Sequence, residues 1–205
     1  MSANGLLCLC GWLCVLLASI AAASGADNDK PKLDVRPAAE YPHRQSGEKV
    51  TVAAQPYETD EQAKQAFGKV NPWRMGVLPV LIVIQNDGPD SISLEKIRFE
   101  YELPDRTHIE NTPAQDVKYI EGAQKPKIRP NPIGRNSVSR PKSPLAEWEI
   151  EGRAFAAKML PPGQSASGFV YFQVPQSSAA AQVVVSGMVH AGTGKEFYYF
   201  EIPMS

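Results

Sequence analysis

The apolar positions change their spacing along the chain, and each change marks an element. Leu6 to Ala23 is an uncharged, mostly apolar run that ends in small residues, Ala21-Ala22-Ala23-Ser24-Gly25-Ala26. An apolar core followed by a small-x-small site predicts a secretory signal peptide over residues 1–26, cut before Asp27. Ala21-Ala22-Ala23 is an alternative cut site. The alternative to cleavage is a retained N-terminal anchor. The run is 18 residues long, at the lower limit for crossing a bilayer, and Met1 to Gly5 lacks the usual Lys or Arg. Residues 27–48 are polar and broken by Pro31, Pro37 and Pro42, which predicts an extended, weakly ordered leader.

Residues 49–205 alternate between strand-like and turn-like stretches. Val50 and Val52 alternate with polar neighbours in a strand from Lys49 to Ala53. Thr59 to Phe67 predicts a short helix, with Thr59 or Asp60 as its cap, acids in its first turn and Gly68 closing it. Val77 to Gln85 is a continuous β-branched run, the pattern of a strand covered on both faces. Its side chains should divide, with Val80, Ile82 and Ile84 on one face and Leu81 and Val83 on the other. Pro79 then belongs near the strand's start or on an unpaired edge. After the turn Asn86-Asp87-Gly88-Pro89, Ile92 to Leu103 alternates with a slip between Leu94 and Ile97 that predicts a bulge. Thr107 to Glu110 is a return strand.

A helix is expected from Thr112 to Gly122, capped by Thr112 with Pro113 in its first turn. Lys125 to Lys142, with four prolines, should be a mobile loop without regular structure. Between Leu145 and Leu160 a helix and then a strand are expected, stopped by Pro161-Pro162-Gly163. Gly168 to Val174, Gln182 to Val189 and Lys195 to Ile202 are strands, the last two a hairpin through Ala191-Gly192-Thr193-Gly194. Seven or more short strands with helices only in connections predict a mainly β fold, an antiparallel immunoglobulin-like β-sandwich over residues 49–205.

Three stretches carry a resemblance. They are Asn71-Pro72-Trp73-Arg74-Met75-Gly76 running into the strand that ends Gln85-Asn86-Asp87-Gly88, Trp148 to Phe155 with Pro161-Pro162-Gly163, and Gly168-Phe169-Val170-Tyr171-Phe172. Together they resemble a group of exported bacterial proteins of the kind found in Acidobacteria, and, more loosely, immunoglobulin-like bacterial modules. The resemblance covers most of the chain after residue 48. It implies export and a sandwich, and it carries no functional residue.

Composition narrows the chemistry. All three cysteines, Cys8, Cys10 and Cys14, lie in the apolar run. Each follows a leucine rather than a small residue, which argues against a lipid anchor. A chain cut before Asp27 has no thiol for a disulfide, a nucleophile or a metal. The net charge of -1 argues against nucleic acid as a partner. His43, His108 and His190 show no ligand spacing, so neither metal nor cofactor is expected. Ser93-Leu94-Glu95-Lys96 lies in a strand region, where residues three apart face opposite sides, and is not a Ser–Lys hydrolase pair. Gly163 to Gly168 is one residue too long for a nucleophile elbow, and Gly192-Thr193-Gly194-Lys195 lacks phosphate-loop spacing. Both are expected to be turns. Glu147, Glu149 and Glu151 alternate, as one solvated edge would, although paired acids are what a glycosidase needs.

One segment stands out in charge. Lys125, Lys127, Arg129, Arg135, Arg140 and Lys142 fall within eighteen residues that hold no acid. These six are the candidate contact residues for an anionic envelope surface or an acidic protein. The sequence therefore points to an exported, non-enzymatic binding or structural module of the bacterial cell envelope, periplasmic or secreted. The alternative is a secreted hydrolase with a shallow carboxylate site. Replacing Arg129, Arg135 and Arg140 by Gln should change stability by no more than about 0.5 kcal/mol. It should weaken cosedimentation with anionic vesicles, and wild-type binding should fall as salt rises. Binding that is absent at low salt, or equal at high salt, leaves the segment a connector.

Overall fold

The computed structural model describes residues 33–120, 143–174 and 180–204, together with the backbone of 127–129 and 137–139. The apolar run, and with it the choice between cleaved signal and anchor, lies outside the described residues. The strands, in chain order, are β1 (Arg44–Gly47), β2 (Val50–Pro56), β3 (Val77–Asn86), β4 (Ile92–Ser93), β5 (Arg98–Glu102), β6 (His108–Glu110), β7 (Lys127–Arg129), β8 (Ser137–Ser139), β9 (Met159–Leu160), β10 (Ser165–Gln173), β11 (Gln182–Ser186), β12 (Val189–His190) and β13 (Phe200–Pro203). Three short helices lie in connections, α1 (Asp60–Phe67), α2 (Ala114–Val117) and α3 (Trp148–Gly152).

Two four-stranded antiparallel sheets face each other, ordered β1-β2-β3-β10 and β13-β11-β5-β6. Val50, Val52, Val80, Ile82, Ile84 and Phe172 of the first pack with Tyr101, Val183, Val185 and Ile202 of the second. This is the antiparallel β-sandwich that the strand pattern predicts. The first sheet is covered on its other face too. Ala53, Leu81, Val83, Phe169 and Tyr171 pack with Phe67 of α1, Val117 of α2 and Ile150 of α3. The molecule thus has three layers, and the first sheet is the middle one. The continuous apolar run of β3 follows from this, and its side chains divide as their alternation predicts. Pro79 sits near the start of β3. Its carbonyl accepts from Tyr57 N–H, 2.9 Å away, just past the end of β2, so its missing N–H falls where the pairing has already stopped.

One end of the central pairing is locked by a single buried side chain. Asn86 donates through Nδ2 to the carbonyls of Asp90 and Leu160 and accepts through Oδ1 from Gly88 N–H. Its backbone exchanges bonds with Gln164 and Gly163, so every polar group of this buried residue is used. Nearby, Gly168 lets β10 touch the segment before it. A Cβ there would lie 2.4 Å from the Cα of Phe155, and Phe155 and Arg153 bond the Phe169 backbone across that contact.

Helix α1 forms where the sequence places it, with Thr59 and Gln62 in a reciprocal capping box and Gly68 at its end. Elsewhere the structure differs. The second half of the polar leader is ordered: it holds a 3₁₀ turn over Ala38–Glu40 and then β1, which pairs with β2. The slip between Leu94 and Ile97 is a corner rather than a bulge. Ile97 N–H bonds Leu94 carbonyl, and the chain leaves β4 in a small third sheet, ordered β12-β4-β9, for β5 in the second main sheet. The expected long strand from Gln182 divides in the same way at Gly187. Its φ is +75°, and a Cβ there would meet the Lys96 carbonyl oxygen at 2.1 Å. The strand expected from Lys195 begins only at Phe200, and as β13 it is the antiparallel partner of β11. The helix expected from Thr112 to Gly122 is only α2, because Thr112 is bridged to Tyr171 of β10 instead of capping. Part of the segment Lys125 to Lys142 is regular after all. β7 and β8 pair as an antiparallel ribbon, each a proline-free polar-apolar-polar triplet.

The double covering of β3 can be tested. Ile82→Ala and Leu81→Ala should each cost about 2–5 kcal/mol in denaturant melts, since each empties a different packed layer. A two-layer molecule would lose that much at Ile82 only.

Candidate functional site

The six basic residues come first. Lys127 and Arg129 lie on β7, whose backbone pairs with β8. Lys125, Arg135, Arg140 and Lys142 lie outside the described residues. The other suspected motifs resolve into architecture. Ser93 pairs with Val189 and Met159 in the small sheet. Gly163 and Gly194 both take positive φ in turns, as expected of the two glycine stretches. Glu151 is paired with Lys118 Nζ at 3.1 Å. Among the described residues no group of three or more His, Cys, Asp or Glu comes together as a metal site. Among them, too, no helix is long and apolar enough to cross a membrane.

The structure brings together a different set of side chains, beside the middle sheet. Leu33 to Arg36 run past Tyr41, and β2 ends at Pro56 before the chain turns through Tyr57 into α1. The capping box fixes the start of α1, and Gln62 and Gln65, three apart, share one of its faces. These elements enclose a cleft of about 440 Å³ lined by Asp34, Arg36, Tyr41, Gln55, Tyr57, Gln62 and Gln65 with Leu33. That volume lies within the usual range for small-ligand sites.

Its polar groups are partly committed. Gln62 Oε1 accepts the backbone N–H groups of Glu58 and Thr59, leaving its NH₂ to the cleft. Gln55 Nε2 donates to Pro56 carbonyl at 3.2 Å, leaving its oxygen. Tyr41 hydroxyl accepts from Arg36 N–H at 3.1 Å, and the Arg36 guanidinium lies 5.0 Å from the centre of the Tyr41 ring. Tyr57 is only 8% exposed. Its ring is held edge-on against Phe169 at 4.9 Å, and its hydroxyl makes no hydrogen bond to a described residue. Burial, aided by the Tyr41 phenol, pushes the Tyr57 hydroxyl above its ordinary pKa, with Arg153 and Arg36 opposing. The group is therefore a neutral phenol at physiological pH. None of these residues was visible as a site in the sequence. Amides and tyrosines form no motif, and they come from three separate elements.

Two other places carry exposed chemistry. A second cleft of about 450 Å³ lies along the β10 edge between Asn111 to Gln115 and Ala154-Phe155. Its floor includes Tyr171, whose hydroxyl is raised in pKa by burial and donates to Ile150 carbonyl at 2.7 Å. At the β1–β13 side, Tyr198 and Tyr199 are 80% and 58% exposed. Beside them Glu48 is shared by His190 and Lys195, at 3.6 and 3.5 Å, and the His190 ring stacks on Phe197.

No family model matches the chain, and no curated protein matches it. Among solved structures it is similar to the yjhA protein from Bacillus subtilis, 11% identical over 71% of this chain and 78% of that one, with a TM-score of 0.38. It is also similar to the secreted protein MPT63 from Mycobacterium tuberculosis, 10% identical over 77% and 89%, TM-score 0.32. A functionally unknown protein from Listeria monocytogenes is 11% identical over 79% and 81%, TM-score 0.34.

A buried carboxylate at the end of the second sheet gives a pH test. Glu102 accepts from Gln182 Nε2 at 2.8 Å and from Arg106 Nη1 at 2.9 Å. The Gln182 amide, and then Arg106, hold its carboxyl below the usual range against the opposing effect of burial. A carboxyl lowered in the folded state stabilises above its unfolded pKa, and that stability is lost as pH falls through the folded value. Glu102→Gln should therefore lower Tm at pH 7. The gap to wild type should narrow as pH drops below about 4. A gap that is constant with pH would mean that the Glu102 charge contributes nothing.

Proposed function

We propose that this chain is an exported binding module of the bacterial cell envelope, periplasmic or secreted, that works by holding a partner rather than by transforming a substrate. The observation that carries the reading is the cleft between residues 33–36, β2 and α1. Amide groups, a guanidinium and two phenols line it with a single carboxylate, Asp34, and a lone carboxylate among such groups suits binding better than paired-acid chemistry. Its walls are rigid, since Tyr41 and Tyr57 belong to the packed layer over the middle sheet. Export is supported by the apolar run that ends in Ser24-Gly25-Ala26. The resemblance to exported acidobacterial proteins supports it as well.

Cosedimentation with purified envelope fragments tests the reading. The chain beginning at Asp27 is used, at high salt, so that the basic segment contributes little. Wild type should pellet with the fragments, and the Arg36→Gln/Tyr57→Phe double variant should pellet several-fold less. The reading fails if wild type stays in solution, or if the two pellet alike.

A further inference from the structure

The polarity of the cleft selects among ligands. It offers donors, from the Gln62 NH₂, the Arg36 guanidinium and the Tyr41 and Tyr57 hydroxyls. It offers acceptors on the same walls, from the Gln55 amide oxygen and the Asp34 carboxylate. Gln65 makes no side-chain hydrogen bond to a described residue, so its amide presents both kinds. An anion would meet Asp34 and the Gln55 oxygen, and a cation would meet Arg36 and the Gln62 NH₂. A hydroxyl group donates and accepts at once, so a ligand dense in hydroxyls can use both sets.

Tyr57 sharpens the point. Its ring is buried, while its hydroxyl, which makes no bond to a described residue, keeps access to solvent in the cleft. Its ring cannot swing away, because Phe169 and the middle sheet hold it. The hydroxyl stands on the cleft wall, where a ligand can complete it.

We propose that the cleft between residues 33–36, β2 and α1 binds a neutral polyhydroxyl ligand, a sugar unit of a glycan or polysaccharide, through these mixed donors and acceptors. The proposal rests on the binding reading above and names its ligand class.

Calorimetric titration of the chain beginning at Asp27 tests it. The probes are neutral di- and trisaccharides of glucose, N-acetylglucosamine and galactose, with oligogalacturonate and spermidine as charged comparisons. At least one neutral saccharide should bind, and the charged probes should not. Tyr57→Phe removes a hydroxyl with no protein partner, so Tm without ligand should be unchanged or higher. Its saccharide affinity should fall about five- to tenfold, the value of one hydrogen bond. Gln65→Leu, on the exposed face of α1, should weaken binding likewise without disturbing the capping box. The proposal is overturned if no neutral saccharide binds, if a charged probe binds instead, or if Tyr57→Phe and Gln65→Leu both bind as wild type does. Titrations that fail while envelope pelleting still depends on Arg36 and Tyr57 overturn the ligand class alone. If that pelleting fails as well, the binding reading falls with it.

Discussion

Strand β3 has no side open to water, and most of the molecule is arranged to meet that demand. One face requires the second sheet and the other requires α1, α2 and α3. Its edges require partners as well, and β2 and β10 supply them over most of its length. The register with β10 is held at one end and near the middle. Asn86 ties the end of β3 to the turn at Pro161 to Gln164, and Gly168 admits the Phe155 backbone against β10. A side chain at 168, or a shorter residue at 86, would disturb the same register from opposite sides.

A sandwich also has to close its sides. At one side the Gln45 side chain takes the outward N–H of Glu201, and Pro203 two residues on has no N–H to offer. Both remove sites at which another strand could add to β13. At the other side Thr112 N–H bonds the Tyr171 carbonyl at 2.7 Å, while Arg153 and Phe155 bond Phe169. The β10 edge is thus covered by the chain that also frames the second cleft. The short connecting helices do the same for the outer face, which would otherwise leave Phe169 and Leu81 in water.

The elements legible in the sequence are those whose signal is local or strongly periodic. The capping box of α1 is contained within Thr59 to Gln62, and the β3 run is too apolar and too β-branched to be anything else. The misreadings arise where a distant contact decides. β1 has no apolar alternation because all four residues are exposed, and only its pairing with β2 makes it a strand. The corner at Leu94 to Ile97 and the one at Gly187 exist for each other, since Gly187 fits against Lys96. Thr112 would cap a helix if Tyr171 were not beside it. The cleft was illegible for a related reason: Arg36, Tyr57 and Gln65 mean nothing until β2 and α1 fold over the segment that precedes them.

The central pairing has a consequence for the order of events. Val77 finds its partner at Gln173 and Gln85 finds its own at Ser165, with the rest of the second cleft's walls and one corner in between. Contacts this distant in sequence are slow to form, because the entropy of closing the loop is spent before the packing repays it. The β1–β2–β3 meander is available early, but its β3 edge stays open until β10 has been made, and one of its apolar faces lacks β11 and β13 until later still. A chain emerging N-terminus first therefore cannot complete its middle layer until its last third has appeared. Up to that moment the β3 edge that β10 will fill is an unpaired template, open to a strand from any other chain.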